Sequence, residues 1–120
     1  MNVLVVVEDD PGMRVLITEL LREDERLHLS GEITNLEDAI EAARTTQPDL
    51  MILDHFIEGE VMGLQAAPML KEAAPEACIV LFTSHDLSVE ADREPSIDAF
   101  LLKRDMNQLL PTVRRVLGLS

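Results

Sequence analysis

The sequence is poor in cysteine and in basic residues. Its 120 residues include one cysteine, Cys78, so that no intramolecular disulfide or multi-cysteine metal cluster can form. Ten lysines and arginines stand against 23 aspartates and glutamates, which gives a formal net charge of −13. Nucleic acids and anionic lipid surfaces repel such a protein, because binding to them needs a basic surface. We therefore expect no nucleic acid and no membrane among its partners, and a cationic partner or a metal ion fits the charge better.

The sequence also lacks long apolar segments and a secretory signal. Its longest apolar runs are about half a dozen residues, which is too short to span a bilayer. The residues before Glu8 include no basic side chain, so we expect no signal peptide and a cytoplasmic location. Apolar residues make up 47% of the chain, which excludes a disordered protein. The length suits one core, and we expect a single domain over residues 1–120 with no output domain.

Short apolar segments alternate five times with segments of helical periodicity. This order predicts an α/β fold in three layers, with a parallel sheet covered by helices on both faces. The second strand alternates apolar and polar residues, as a half-exposed edge strand does. Pro95 is expected to keep the fourth helix short or irregular. The predicted strands are 3–7, 27–32, 50–53, 77–82 and 97–102, and the predicted helices are 13–23, 36–46, 62–73, 86–93 and 109–117.

Polar residues follow four of the predicted strands. Ligands of open α/β sheets bind at the carboxyl ends of the strands, where the strand order reverses. If strand two is an edge, strands one and three are neighbours there, and their acidic residues lie close together. Such carboxylates repel one another unless a cation such as Mg²⁺ neutralises them. The residues at the strand ends are Glu8, Asp9 and Asp10 after strand one, Asp54 after strand three, Thr83 and Ser84 after strand four, and Lys103 after strand five.

Together these groups suit the formation of an aspartyl phosphate. A carboxylate such as Asp54 can act as a nucleophile towards phosphorus. Lys103, one of two lysines in the chain, supplies a positive charge that can hold a phosphoryl oxygen. Thr83 offers a hydroxyl group to another phosphoryl oxygen, and preorganised groups of this kind stabilise developing charge.

Four short motifs occur in a recognisable order. They are LVVVEDDP at 4–11 followed by Met13 and Arg14, PDLMILD at 48–54, VLFTS at 80–84 and FLLK at 100–103. Together they resemble the receiver domain of response regulators in two-component signalling, and the resemblance covers residues 2–117. It implies a flavodoxin-like, CheY-like fold with a five-stranded parallel sheet of order 2-1-3-4-5.

The resemblance also implies a role for each residue that matches a family motif. Asp54 would be the phospho-acceptor, and Mg²⁺ would be the cofactor. Thr83 would be the switch hydroxyl, Lys103 would contact the phosphoryl group, and Phe100 would stand at the position of the switch tyrosine. Asp10 would be either a solvated loop acid or part of the metal site. The metal ligands would be Glu8, Asp9, Asp54 and the backbone carbonyl of Phe56.

The sequence departs from the family pattern at several positions. Gly63 lies nine residues after Asp54 rather than eight, so we expect the loop between the third strand and the third helix to be one residue longer. Arg104 replaces the proline that usually follows the lysine, which puts a cis peptide bond there in doubt. Phe100 has no hydroxyl group and can report activation only by packing. The segment from Thr83 to Lys103 is short.

The leading functional prediction is a stand-alone receiver, a phosphorelay component rather than a metabolic enzyme, with at most slow self-dephosphorylation. Its partners would be a histidine kinase or phosphotransfer protein and a downstream protein target. Two alternatives stay open: a pseudo-receiver that is never phosphorylated, and a small Mg²⁺-dependent phosphohydrolase. Hydrolases that resemble haloacid dehalogenases need a second aspartate two residues after the nucleophile, where this chain has Phe56.

Several other polar residues have a simpler interpretation. Cys78 is expected to be a small core residue. His55 and His85 flank the predicted site, and we interpret both as surface loop residues. Arg114 and Arg115 are expected to complement the dipole of the last helix.

Overall fold

The computed structural model describes residues 1–6, 11–57 and 61–119. Its five strands form one parallel sheet in the order β2-β1-β3-β4-β5, as the resemblance implies. The strands are β1 (Asn2–Val6), β2 (His28–Ile33), β3 (Leu50–Leu53), β4 (Cys78–Thr83) and β5 (Ala99–Leu102), and the helices are α1 (Pro11–Leu21), α2 (Leu36–Thr46), α3 (Gly63–Ala73), α4 (Ser88–Asp92) and α5 (Leu109–Val116).

The core lies on both faces of the sheet because neighbouring strand residues point in opposite directions. Val3 and Val5 face a cluster that includes α1 and α5, whereas Leu4 and Val6 face α2, α3 and α4. In β3 every residue is buried, as expected for a central parallel strand. In β2 exposed and half-buried residues alternate, which confirms the predicted edge strand.

The helix boundaries follow local sequence signals. The Asn35 side chain accepts a hydrogen bond from the Asp38 amide and caps α2. Gln47 ends that helix with a left-handed φ of 45°. α4 has five residues and ends before Pro95, so the prediction of a short fourth helix is confirmed.

Three features of the structure go beyond what the sequence predicts. Leu16 shares the periodicity of α1 but is 52% exposed, because Ile17 and Leu21 are the residues that face the core. A 3₁₀ segment, Lys103–Gln108, separates β5 from α5 and was not predicted. Arg114 does more than complement a helix dipole, because its Nε donates a hydrogen bond of 3.0 Å to the buried Asp24 carboxylate.

Within the described ranges, none of the helices combines the length and apolar character that crossing a membrane requires.

Candidate functional site

The carboxyl ends of β3, β4 and β5 bring three of the predicted residues to one edge of the sheet. Asp54 directly follows β3, and its amide donates a hydrogen bond of 2.8 Å to the Val6 carbonyl at the end of β1. Thr83 is the last residue of β4 and pairs in register with Leu102. Lys103 comes next, so that the topology alone places these groups side by side.

Asp54 is a buried carboxylate with two well-placed donors. Its Oδ2 accepts a hydrogen bond of 2.6 Å from the Nζ of Lys103, and its Oδ1 accepts one of 3.2 Å from the Phe56 amide. The side chains of Asp54 and Lys103 are 1% and 12% exposed. Two opposite charges removed from water in this way stabilise each other, and removing either one would leave the other buried and uncompensated.

Thr83 presents an unused hydroxyl group beside this ion pair. Its side chain is completely buried, and its Oγ1 has no hydrogen-bond partner among the residues that the structure describes. Such a group is rare, because an unpaired buried hydroxyl destabilises the folded state by about 1–3 kcal/mol. An oxygen of a bound phosphoryl group would supply the missing partner, so the residues fit the predicted ligand.

The predicted metal ligands are only partly within the described residues. Asp54 and Phe56 are described, whereas Glu8 and Asp9, like the neighbouring Asp10, lie outside the described ranges. Between 11 and 57, between 61 and 119 and in the first six residues, no three His, Cys, Asp or Glu side chains are grouped to hold a metal ion. The buried Asp54 carboxylate is an oxygen ligand of the kind through which proteins bind Mg²⁺.

Three aromatic rings lie in a row beside Asp54. The rings of His55 and Phe56 meet edge to face with centroids 5.2 Å apart, and those of Phe56 and His85 do so at 4.7 Å. His85 is exposed, as expected, but His55 is half-buried. Burial lowers the pKa of His55, and the positive charge that His85 can carry acts in the same direction, whereas the Asp54 charge opposes both. His55 is thus a loop residue, as expected, but it is only partly at the surface.

The start of α3 packs closely against the main chain of Asp54 and His55. A Cβ atom on Gly63 would lie 2.7 Å from the Cα of His55 and would overlap the carbonyl oxygen of Asp54. Only glycine fits such a close approach. The family pattern includes a glycine near this position but does not explain why it is needed. The close contact that explains it can be found only once the path of the loop is known.

Phe100 is half-buried in the cleft between α4 and β5. This cleft has a volume of about 140 Å³ and is lined by residues of α4, among them Ser88 and Ala91, by β5 and by the segment before β5, which includes Ile97. Phe100 pairs in register with Leu81 of β4, two residues before Thr83. Phe100 therefore lies on β5, next to the strand that ends at Thr83, and the cleft leaves space beside its ring.

The sequence profile of the response regulator receiver domain matches residues 4–114. The chain belongs to this family. The receiver domain is 29% identical to the nitrate/nitrite response regulator protein NarL of Escherichia coli K12, over 83% of this chain and 47% of that protein. It is also 29% identical to a protein-glutamate methylesterase/protein-glutamine glutaminase of Natronomonas pharaonis, over 95% of this chain and 35% of that protein. The chain thus spans about half, or less, of these curated relatives.

Solved structures show the same fold for this receiver domain. The response regulator domain of Thermotoga maritima CheB superimposes with a TM-score of 0.83 at 18% identity and covers 100% of this chain and 98% of that one. The isolated receiver domain of Salmonella enterica RcsB, in the presence of the phosphomimetic BeF₃⁻, gives a TM-score of 0.85 at 20% identity, with 98% and 88% covered. The CheY-like fold is therefore confirmed.

Proposed function

We propose that this receiver domain accepts a phosphoryl group on Asp54 from a histidine kinase or a phosphotransfer protein. The observation that carries the proposal is the buried Asp54 carboxylate, paired with Lys103 and lying at the same sheet edge as the unpartnered Thr83 hydroxyl. An Asp54 oxygen would attack the phosphorus of a phosphohistidine, a P–O bond would form, and the P–N bond to the imidazole would break. The product is an acyl phosphate on Asp54.

Two described side chains can stabilise that product. The Lys103 ammonium group, 2.6 Å from the carboxylate, can turn from it to a phosphoryl oxygen without leaving the site. The Thr83 hydroxyl can donate a hydrogen bond to another phosphoryl oxygen, which gives this buried group its missing partner. Both groups act where negative charge accumulates during transfer.

Mg²⁺ is the cofactor that this donor set fits. Asp54, the Phe56 carbonyl and Asp9 would hold the ion, with Glu8 acting mainly through water. The Val6 carbonyl accepts a hydrogen bond from the Asp54 amide. Glu8 and Asp9 come two and three residues after Val6, and a chain of two or three residues is long enough to bring their carboxylates to Asp54. The ion would supply positive charge that neutralises the carboxylates and the incoming phosphoryl group.

Phosphorylation would pass its signal through protein contacts. If Thr83 moves towards the phosphoryl group, space opens behind it that Phe100 can fill from the neighbouring strand. The α4–β5 cleft beside Phe100 leaves room for that shift. The downstream target would then be a protein that binds the altered surface. The acidic receiver domain itself would contact neither nucleic acid nor a membrane.

The test is the intact mass of the protein after incubation with acetyl phosphate. We expect a gain of one phosphoryl group in the presence of Mg²⁺ and none after chelation with EDTA. Asp54→Asn should abolish the gain, whereas the control Asp49→Asn, at the other end of β3, should retain it. Asp9→Ala should lose both the gain and the increase in melting temperature that Mg²⁺ binding confers on the wild type.

Two outcomes would contradict the proposal. A gain that persists in Asp54→Asn would place the phosphoryl group elsewhere. No gain in the wild type with any phosphodonor would favour the alternative of a pseudo-receiver that acts as an interaction module.

A further inference from the structure

His55 makes contacts that a loop residue does not need. The first N–H groups of a helix have no partner within the helix and are usually capped by a side chain just before it. Met62, at the cap position of α3, makes no such hydrogen bond. His55 supplies two acceptors instead: its carbonyl oxygen accepts a 2.6 Å bond from the Gly63 amide, and its Nδ1 accepts a 3.2 Å bond from the Leu64 amide.

The same residue is covalently joined to the acceptor. Gly63 packs against the main chain of Asp54 and His55 so closely that no side chain fits between them. The first turn of α3 is therefore held against the end of β3 by two hydrogen bonds and a main-chain contact. A change in the position of His55 would shift the Asp54 backbone, and with it the carboxylate that meets Lys103.

The imidazole ring of His55 also supports the ring of Phe56. The two rings meet edge to face with centroids 5.2 Å apart and an angle of 76° between their planes. The Phe56 amide in turn donates to the Oδ1 of Asp54. The orientation of the His55 ring is set by the Leu64 amide, so this hydrogen bond also limits where Phe56 can lie beside the acceptor.

We propose that His55 is a positioning residue for phosphorylation, which acts by capping α3 through Nδ1 and so fixes the main chain of Asp54 and the ring of Phe56. The proposal rests on the proposed role of Asp54 as the acceptor. Because Nδ1 accepts a hydrogen bond, it carries no proton, and the neutral ring carries its proton on Nε2. Capping of α3 therefore requires a hydrogen-bond acceptor at the position of Nδ1, and an aromatic ring without that acceptor would not cap the helix.

Two substitutions separate the acceptor from the ring. His55→Asn keeps an acceptor at nearly the position of Nδ1, because Oδ1 of asparagine and Nδ1 of histidine are both bonded to Cγ. His55→Phe keeps an aromatic ring for Phe56 but removes the acceptor. His85→Phe is the matched control, because His85 also contacts Phe56 but has no hydrogen bond to α3 among the described residues.

The first measurement is hydrogen exchange at the Leu64 amide in the unphosphorylated protein. We expect His55→Phe to speed exchange at least several-fold, His55→Asn to restore most of the protection, and His85→Phe to leave it unchanged. These effects should be confined to the start of α3 and absent from β1 and β3, which excludes global unfolding as their cause. Equal exchange in the wild type and in His55→Phe would overturn the proposal.

The second measurement is the rate of phosphorylation by acetyl phosphate with Mg²⁺. We expect His55→Phe to react several-fold more slowly than the wild type and His55→Asn to recover most of the rate. If His55→Phe reacts as fast as the wild type while Asp54→Asn does not react, the positioning role is wrong and the acceptor role stands. If the wild type itself takes up no phosphate, the proposed function fails and the positioning role fails with it, even where the exchange data show that His55 caps α3.

Discussion

Asp54 and Lys103 form an ion pair of which both members are largely removed from water. A buried pair of this kind adds little net stability, because the loss of hydration offsets the attraction between the charges. Under the proposed function the value of the pair is chemical: it would hold a nucleophilic oxygen and a cation within hydrogen-bonding distance before a phosphoryl group arrives. Preorganisation of this type lowers the cost of reorganising charge during transfer.

The ring of Phe56 is expected to affect how long the phosphoryl group stays on Asp54. The ring is half-buried and lies between two histidine rings, and the amide of the same residue donates a hydrogen bond to Asp54. Phe56→Ala would open this side of the site to water and should shorten the lifetime of the phosphorylated protein several-fold. The measurement is the decay of the phosphorylated mass after removal of acetyl phosphate.

Phe56→Leu is the control for this prediction, because it keeps most of the apolar bulk. Its lifetime should stay closer to that of the wild type. If the alanine and leucine variants lose the phosphoryl group at the wild-type rate, the ring does not limit the access of water.

Single residues differ in how well the sequence predicts them. Asp54, Thr83 and Lys103 could be placed because each stands at the end of a strand, and the edge of a parallel sheet is defined by topology. The cap that His55 provides could not be predicted, because a hydrogen bond between a side chain and the amide nine residues later depends on the path of the loop. One signal was available: α3 begins at Met62-Gly63 with no capping side chain of its own.

α4 is a short helix with few interactions that stabilise it. It has five residues, of which Ala91 is buried, and Val89 is 57% exposed. Asp86 accepts hydrogen bonds from the Ser88 amide and hydroxyl, which compensates for the missing cap at Leu87. A helix this short gains little from its own hydrogen bonds, and its stability depends on packing.

We therefore expect the amides of residues 86–95 to exchange faster than those of α1. Phosphorylation, or the phosphomimetic beryllofluoride with Mg²⁺, should slow their exchange, because the shift of Thr83 and Phe100 would order the segment that follows β4. Native-state hydrogen exchange monitored by mass spectrometry checks both statements. Protection equal to that of Pro11–Leu21, with no change on activation, would show a rigid helix and rule out this mechanism.

The sequence predicts where strands and helices occur better than it predicts which face of a helix is buried. β3 and the short α4 follow from an apolar run and from Pro95, which are local signals. The exposure of Leu16 is not local: it depends on how α1 is rotated against the sheet, and Ile17 and Leu21 already fill the available core positions. The 3₁₀ segment Lys103–Gln108 has no apolar periodicity, so a pattern of hydrophobic residues cannot reveal it.

On the scale of the whole molecule, a cluster of charges ties distant parts of the chain together. The buried Asp24 carboxylate accepts hydrogen bonds from Arg26 at 2.9 and 2.7 Å and from Arg114 of α5 at 3.0 Å. The carbonyl of Arg26 in turn accepts a bond from the N-terminal ammonium group. The loop after α1 and the last helix thus meet at the Asp24 carboxylate, and the start of the chain is joined to them through the Arg26 carbonyl.

Asp24 should make the stability of the protein depend on pH on the acid side. The hydrogen bonds from the Arg26 side chain and amide, and then that from Arg114, lower the pKa of Asp24 far below its usual value, against the opposing effect of burial. In the unfolded chain the group takes up a proton near pH 4, about its ordinary pKa, whereas the folded protein keeps it ionised. Its contribution to stability is therefore complete above about pH 4 and is lost as the pH falls towards the lower folded pKa.

Melting temperatures of the wild type and Asp24→Asn, measured from pH 7 down to pH 3, test this prediction. We expect the variant to melt at a lower temperature at pH 7, because it lacks the charge that holds both arginines, and the difference should narrow below about pH 4, where the unfolded wild type binds the extra proton. Glu25→Gln is the matched control, because Glu25 is an exposed neighbour of Asp24, and it should melt close to the wild type at neutral pH. A difference between wild type and Asp24→Asn that stays constant over the whole range would mean that the carboxylate titrates alike in the folded and unfolded states, and that the two arginines do not lower its pKa.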